Sequence, residues 1–419
     1  MYLILDTIIF EPEYNAPLDI NLISQYKKII FSDYQLSEGI CNAYENNIFN
    51  NFKLIYSEFN TKVNMLPQQL THLTFGEKFN KEVNMLPKML THLTFGSCFN
   101  QKVNLLPQLL THLTFGRRFN QEVAKLPPQL THLTFGLNFN QEVNLLPQLL
   151  THLTFGWDFN QEVNLLPQLL THLTFGTNFN QEVAMLPQLL THLTYKNNFN
   201  QEVAMLPQLL THLTLGDYFE QEVTQLPRQL THLTFGHFFN QEVAQLPQLL
   251  THLTFGYCFN QEVTQLPQQL THLTFGYSFN QEVVRLPQLL THLTFGCSFN
   301  KSNIYLPLTI KYLKLYCNNF HIIAQLSSNI EVLELDSNFN LELNDLPTSI
   351  KKIIFNKNSF YYYNKELNCL PKFVEQIQLP RQYNKQIKNL PSRLKKIICS
   401  TRYKYIENFN NLEVETYYI

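Results

Sequence analysis

Residues 151–170 read THLTFGWDFNQEVNLLPQLL, and this twenty-residue unit decides the fold. The tetrapeptide Thr-His-Leu-Thr begins at residue 71 and recurs every twenty residues until 291, which gives twelve copies without an insertion or a deletion. Such a period is typical of a solenoid, in which each turn buries its apolar face only against its neighbours. Weaker copies continue the same phase at Leu313, Leu333 and Ile353. The period therefore predicts one repeat stack through nearly the whole chain.

The order of residue types within a unit predicts the path of each turn. Leu150, Leu153 and Phe155 follow the Leu-x-x-Leu-x-Leu pattern of a leucine-rich repeat, whose short strand belongs to a parallel sheet. Gly156 ends the strand where a side chain is hard to accommodate, and Pro167 disfavours a helical return. We therefore expect a β-rich solenoid, a parallel-strand, leucine-rich-repeat-like stack of about twenty turns with irregular or 3₁₀ returns. The expected inward side chains are Leu150, Leu153, Phe155, Phe159, Val163 and Leu166.

Composition excludes several classes of protein. The 419 residues are 44% hydrophobic, which is too rich for disorder, and 30 Lys and Arg oppose 32 Asp and Glu. The seven cysteines are irregularly spaced and lack a Cys-x-x-Cys pair, which speaks against a disulfide framework and a zinc site. The chain lacks a P-loop, Gly-x-Gly-x-x-Gly, His-Glu-x-x-His or Gly-x-Ser-x-Gly motif. We expect a non-enzymatic protein of the cell interior, in the cytoplasm, with no transmembrane segment, cofactor or metal.

The repeat resembles the FNIP repeat family, which is found in social amoebae and giant DNA viruses. Its pattern is Phe-Asn followed by a hydrophobic residue, then Leu-Pro-x-x-Leu-x-x-Leu-x-Phe-Gly. The resemblance implies a leucine-rich-repeat-like binding scaffold, and the Asn- and Ile-rich, Gly-poor composition suits a giant-virus genome. For a viral protein the expected partners are host proteins. The residues that carry it in one unit are Phe159, Asn160, Val163, Leu166, Pro167, Leu170, Leu173, Phe175 and Gly176.

Many members of that family carry an N-terminal F-box, which implies recruitment to a ubiquitin ligase. Residues 1–50 lack the Leu-Pro opening followed by helical apolar spacing that an F-box shows. A substrate-adaptor role is therefore an alternative only if these residues hide an F-box. We divide the chain into a degenerate N-terminal cap (1–58), regular repeats (59–300) and divergent repeats with a C-terminal cap (301–419).

Two adjacent positions after each glycine vary while the rest of the unit stays fixed. Loop positions on a rigid scaffold are where binding specificity tends to reside, and aromatic residues and Arg are common interface anchors. These variable pairs therefore predict the edge that a protein partner contacts, and drift at unconstrained loops is the alternative. The candidate partner-binding residues are Arg117, Arg118, Trp157, Asp158, Tyr218, Phe238, Tyr257 and Tyr277.

The invariant polar positions form two predicted ladders. An asparagine ladder, which includes Asn140 and Asn160, is expected to bond neighbouring main chain. A histidine ladder is expected to show depressed pKa values, because protonation brings like charges together. A flat ladder supplies ligands from one direction only and does not suit a metal ion. The histidines are His72, His92, His112, His132, His152, His172, His192, His212, His232, His252, His272 and His292.

Two further surfaces are suggested by composition. The residue before each Leu-Pro is Met or Leu from Met65 to Met205, apart from Lys125, and Gln or Arg from Gln225 to Arg285. This pattern predicts an apolar strip for a partner or for self-association, and partial burial between turns is the alternative. Residues 351–404 hold 13 Lys and Arg against two Glu, and they include Tyr361, Tyr362, Tyr363, Tyr383 and Tyr403. That segment suggests an alternative function, electrostatic binding of RNA or an anionic membrane.

Overall fold

The computed structural model describes residues 1–37, 39–50, 52–183, 185–203, 205–223, 225–243, 245–263, 265–283, 285–336, 339–356 and 363–418. The chain divides into two compact units, Met1–Leu210 and Thr211–Ile419. Each unit is built from short parallel strands, with one strand per turn through the regular repeats. The predicted leucine-rich-repeat-like β-solenoid is therefore confirmed. Among the described residues, none of the helices is long and apolar enough to cross a bilayer.

The first unit contains ten strands and two short helices. The helices are α1 (Ile20–Ile23) and α2 (Ile40–Asn46). The strands are β1 (Tyr2–Ile4), β2 (Thr7–Phe10), β3 (Lys28–Phe31), β4 (His72–Thr74), β5 (His92–Thr94), β6 (His112–Thr114), β7 (His132–Thr134), β8 (His152–Thr154), β9 (His172–Thr174) and β10 (His192–Thr194).

The second unit continues the same strand period and ends in longer strands. It contains helix α3 (Phe320–Ala324) and a 3₁₀ helix (Ile406–Phe409). Its strands are β11 (His212–Thr214), β12 (His232–Thr234), β13 (His252–Thr254), β14 (His272–Thr274), β15 (His292–Phe295), β16 (Tyr312–Leu315), β17 (Val332–Leu335), β18 (Lys352–Phe355), β19 (Gln376–Gln378), β20 (Lys396–Ser400) and β21 (Glu413–Tyr417).

Backbone hydrogen bonds hold successive turns in one register. His152 lies opposite His172 in the parallel pair β8–β9. The Thr171 and His172 amides both donate to the Thr151 carbonyl, at 2.9 and 3.0 Å. Because the same bonds recur at the equivalent positions, identical side chains of neighbouring turns lie directly above one another, about 4.8 Å apart.

Stacked phenylalanines fill the interior of each regular turn. Leu150 and Phe159 are fully buried, and Leu153 and Phe155 are 1% exposed. The Phe155 and Phe159 rings stack at 3.8 Å within one turn, and Phe155 stacks on Phe175 of the next turn at 5.7 Å. The predicted inward positions are confirmed, and stacked rings form the core of these turns.

The glycine that follows the strand in most regular turns lies where two backbones approach closely. A Cβ at Gly156 would lie 1.8 Å from the carbonyl oxygen of Gly136 in the preceding turn. Real Cβ atoms do not come this close to backbone, so a side chain requires the turns to shift apart. Lys196 occupies the equivalent position once within the regular repeats.

The asparagine ladder ties each return to the next. Asn140 Oδ1 accepts hydrogen bonds from the Asn160 backbone amide at 2.9 Å and from Gln161 Nε2 at 3.1 Å. The backbone amide of Asn140 in turn donates to Asn120 Oδ1 at 3.0 Å. The structural interpretation of this ladder is confirmed, because its side chains supply acceptors to backbone that has no strand partner.

Substituting Asn140 tests this ladder. We expect Asn140→Ala to lower the free energy of unfolding by about 1–2 kcal/mol, because the Asn160 amide loses its acceptor. Asn140→Asp keeps an acceptor oxygen at the same place, so it should cost less than half as much. Urea denaturation of both variants measures the difference. Equal losses would show that the side-chain volume, not the acceptor, stabilises the turn.

The ends of the fold differ from the regular turns. Strand β1 pairs antiparallel with β2, and β3 pairs directly with β4 although residues 32–71 lie between them. That connection contains α2 and a bridge between Tyr34 and Leu54. At the other end, β21 pairs parallel with β20. Residues 1–58 were predicted as a degenerate cap, whereas strands β1, β2 and β21 were not predicted.

Candidate functional site

The variable pair of each turn is fixed in its backbone and open in its side chains. The Asp158 amide donates to the Leu137 carbonyl at 2.7 Å, and the Asn178 amide donates to the Trp157 carbonyl at 2.8 Å. The Trp157 side chain is nevertheless 53% exposed. Asp158 Oδ1 accepts a hydrogen bond from Asn178 Nδ2 at 3.2 Å. The edge is therefore a rigid scaffold with a different side chain at each step.

A groove of about 280 Å³ runs along this edge in the first unit. Gly136 and Gly156 form part of its bed, so ligand atoms can approach the backbone there. Arg117, Trp157 and Lys196 contribute to its wall, which places an aromatic ring and two cations around one cleft. Arg118, the neighbour of Arg117, is also exposed.

The candidate aromatic residues of the second unit form two stacks. Tyr257 and Tyr277 stack at 4.5 Å, and the His237 ring stacks on Tyr257 at 4.6 Å. Tyr218 and Phe238 stack at 5.0 Å one position further along the unit. Tyr218, Phe238, Tyr257 and Tyr277 were predicted as one group of partner-binding residues. In the structure they form two adjacent stacks.

Lys196 and His237 belong to these surfaces and were not among the predicted site residues. Lys196 is exposed and lines the groove beside Trp157. The signal was present in the sequence, since Lys196 is the one residue other than Gly at its position from Gly76 to Gly296. His237 occupies a variable position and differs from the ladder histidines in its stacking on Tyr257.

The histidine ladder is a stack of half-buried rings with defined hydrogen bonds. The rings of His132 and His152 lie 4.2 Å apart, and the neighbouring described pairs are similar. Thr151 Oγ1 donates to the Thr131 carbonyl at 3.1 Å and contacts His152 Nδ1 at 2.9 Å. Since a hydroxyl carries one hydrogen, Nδ1 is the donor to Thr151. This leaves the lone pair of each imidazole on Nε2.

The pKa values of nine ladder histidines are depressed, as the sequence predicted. Burial is the main cause at all nine, and neighbouring imidazoles add to it at seven; at His92 and at His272 these effects lower the pKa to about 4. The nine are His72, His92, His112, His132, His152, His172, His252, His272 and His292. The sequence argument considered only the second cause. Among the described residues, no group of three or more His, Cys, Asp or Glu is placed to hold a metal ion.

The basic segment 351–404 is partly neutralised by carboxylates. Lys351 pairs with Glu331 at 2.8 Å, and Lys396 pairs with Glu413 at 2.8 Å. Both carboxylates lie outside the segment and are missed when only residues 351–404 are counted. The positive electrostatic potential at the segment is therefore weaker than its surplus of Lys and Arg suggests.

The described tyrosines of the segment are interior residues. Tyr363, Tyr383 and Tyr403 are only 4–6% exposed, so the expectation that they contribute to an RNA- or membrane-binding surface was wrong. They occupy the interior positions that phenylalanine fills in the regular turns. Tyr361 and Tyr362 lie outside the described residues.

Comparison with known proteins identifies both the repeat and the fold. A family model described as "FNIP Repeat" matches residues 59–98, 99–138, 122–156, 139–177, 159–198, 199–238, 239–278 and 259–298. The chain is 36% identical to CroV588, whose crystal structure is described as a novel circular LRR protein. That match covers 95% of this chain and 73% of CroV588, with a TM-score of 0.64.

A second solved structure supports the fold alone. YopM from Yersinia enterocolitica WA-314 is 19% identical, with a TM-score of 0.53 over 85% of this chain and 92% of YopM. Among proteins with curated descriptions, none is similar enough to count as a relative.

Proposed function

The chain belongs to the FNIP repeat family, and on that premise we propose that it is a non-enzymatic scaffold that binds a protein partner through its variable pairs. The proposal rests on one observation: side chains that differ from turn to turn project from a backbone that is the same in every turn. The His and Thr ladders are identical in successive strands, so a partner that read them could bind in many shifted registers. The variable pairs differ from turn to turn, so a partner that contacts them is held in a single register.

The groove beside Trp157 supports this edge as the contact surface. It combines an exposed aromatic ring with the cations Arg117 and Lys196, and aromatic residues and Arg are enriched among interface hot spots. Tyr257 and Tyr277 offer a second exposed aromatic surface on the corresponding edge of the second unit. A partner that contacts either surface buries exposed aromatic side chains without deforming the solenoid.

Trp157→Ala tests this function. We expect at least about tenfold weaker partner binding, because truncation of an interface anchor costs about 2 kcal/mol or more. Thermal stability should stay nearly unchanged, because the ring projects from the core. The measurement is titration against the partner recovered by affinity capture, with His152→Ala as the control that leaves binding nearly intact. Equal affinity of wild type and Trp157→Ala would remove the basis for this edge, and a large drop in melting temperature would show that Trp157 packs inside.

A salt series in the same capture separates the alternative functions. Partners lost by about 0.3–0.5 M salt would favour electrostatic binding through residues 351–404, since counterion release is steeply salt-dependent. Capture of ubiquitin-ligase subunits would favour the adaptor role. We propose residues 1–58 as a cap, because β1 to β3 extend the sheet at that end. The expectation of a host-protein partner stays a prediction, since it rests on composition.

A further inference from the structure

An apolar strip covers the return side of the first unit, away from the variable pairs. Its first row is Leu145, Leu165, Met185 and Met205, which are 66–77% exposed. These residues precede the buried Leu-Pro pair of each turn. The first row of the predicted strip is thus exposed to solvent, and the alternative of partial burial between turns does not hold for these four residues.

A second row lies beyond the buried Leu-Pro pair of the same turns. Leu149, Leu169, Leu189 and Leu209 are 41–49% exposed. Together the two rows present on the order of 500 Å² of apolar surface, which is at the upper end of what a protein exposes without a partner. We use "apolar strip" for these eight residues.

Carboxylates accompany the apolar strip at every turn. Glu142, Glu162, Glu182 and Glu202 are exposed three residues before the first row. Glu162 Oε2 accepts a hydrogen bond from Asn164 Nδ2 at 3.0 Å, and Asn164 directly precedes Leu165 in the chain. The other Asp, Glu, Lys and Arg residues within 139–210 are Asp158 and Lys196, which lie at the variable edge. The apolar strip therefore has an acidic border.

The spacing of side chains along the apolar strip indicates which secondary structure a bound segment adopts. Its side chains repeat at about 4.8 Å, the distance between neighbouring strands. One face of an α-helix presents a side chain about every 5.4 Å, whereas one face of an extended strand does so about every 6.8 Å. A helix lying along the strip can keep contact over three or four turns, and the Met side chains can absorb the remaining mismatch.

We propose that the apolar strip binds an amphipathic, positively charged helix of a partner protein. The apolar face of the helix covers the strip, and its Lys or Arg residues meet the glutamate border. A second copy of this chain would bring two glutamate columns together, and an anionic membrane would face the same repulsion. The site is independent of the variable pairs, so its failure would leave the proposed function standing.

Two synthetic peptides test the proposal with the full-length protein. Both are helical peptides of about fourteen residues with the same leucine face; one carries Lys on its polar face and the other carries Glu. Fluorescence anisotropy should show at least tenfold tighter binding of the Lys peptide. Replacing the first row by Leu145→Gln, Leu165→Gln, Met185→Gln and Met205→Gln should weaken it at least tenfold. Glutamine stands at this position in the second unit at Gln225, Gln245 and Gln265, so the repeat tolerates it.

A matched control and a charge variant complete the test. Leu249→Gln with Leu289→Gln removes two half-exposed leucines from the second unit and should leave binding of the Lys peptide unchanged. Neutralising the border with Glu142→Gln, Glu162→Gln and Glu182→Gln should weaken binding several-fold and flatten its salt dependence.

Three results would overturn the proposal. The first is equal binding of the Lys and Glu peptides, and the second is full binding by the first-row glutamine variant. The third is found when the wild type dimerises in sedimentation velocity, or adsorbs to phosphatidylserine vesicles, and the first-row glutamine variant does not. That result would assign the apolar strip to a second copy or to a membrane.

Discussion

Phe159→Ala should lower the free energy of unfolding by about 3–5 kcal/mol, the range for removing a buried aromatic ring. The Phe159 ring is fully buried and stacks on Phe155 at 3.8 Å. Phe139 and Phe179 of the adjacent turns lie 6.0 Å away on either side. The cavity left by the ring cannot collapse, because backbone hydrogen bonds fix the distance between those turns. Urea denaturation followed by circular dichroism measures the loss.

Phe155→Leu is the matched control for the core. Leu215 occupies the equivalent position in the second unit and is 1% exposed, so the repeat packs around a leucine there. We expect a cost below about 2 kcal/mol, since most of the apolar volume is kept. If Phe159→Ala proved as mild as Phe155→Leu, the turns would be able to close over a missing ring, and the rigidity assigned to the scaffold would be wrong.

The interior of the regular turns could be predicted from the sequence because each position has the same structural surroundings in all twelve copies of the repeat. Strict alternation placed Leu153 and Phe155 inside, and the constant period fixed the register of β4 to β10 and of β11 to β15. Gly156 and Asn140 could be interpreted for the same reason. Each position needs one residue type in every copy, because each copy meets an identical neighbour.

The ends and the surfaces were less predictable because they have no second copy to compare. Strands β1 and β21 lie outside the repeat phase, so nothing in the period marks them. The contribution of Lys196 to the groove depends on which side chains meet in space. Tyr363 and Tyr383 were mistaken for surface residues, because the divergent turns place Tyr where the regular turns place Phe.

Lowering the pH from 7 to 5 should destabilise the fold substantially. Burial, joined by neighbouring imidazoles at all but His172 and His292, lowers the pKa values of nine ladder histidines in the folded chain. They are His72, His92, His112, His132, His152, His172, His252, His272 and His292. The unfolded chain, with ordinary histidine pKa values near 6.5, then binds more protons below about pH 6.5. The free energy of unfolding therefore falls as the pH falls through the window from about 6.5 to about 4.

Each histidine should contribute about 1 kcal/mol or less to this loss at pH 5, because solvent screens the half-exposed rings. The effect is nevertheless large, because many rings titrate in the same window. The urea midpoint should drop clearly between pH 7 and pH 5, and unfolding at pH 5.5 should take up protons in a calorimeter. Below about pH 4.5 the paired carboxylates of Glu331 and Glu375 begin to contribute, so the comparison ends at pH 5.

Replacing ladder histidines separates their contribution from that of the rest of the chain. His132→Gln with His172→Gln removes two titrating rings while leaving the strand hydrogen bonds of the backbone in place. The difference between the midpoints at pH 7 and pH 5 should shrink in this variant, and proton uptake on unfolding should fall by up to about two protons. Identical midpoints at the two pH values in the wild type would contradict the depressed pKa values. A variant with the wild-type pH response would assign that response to groups outside the ladder.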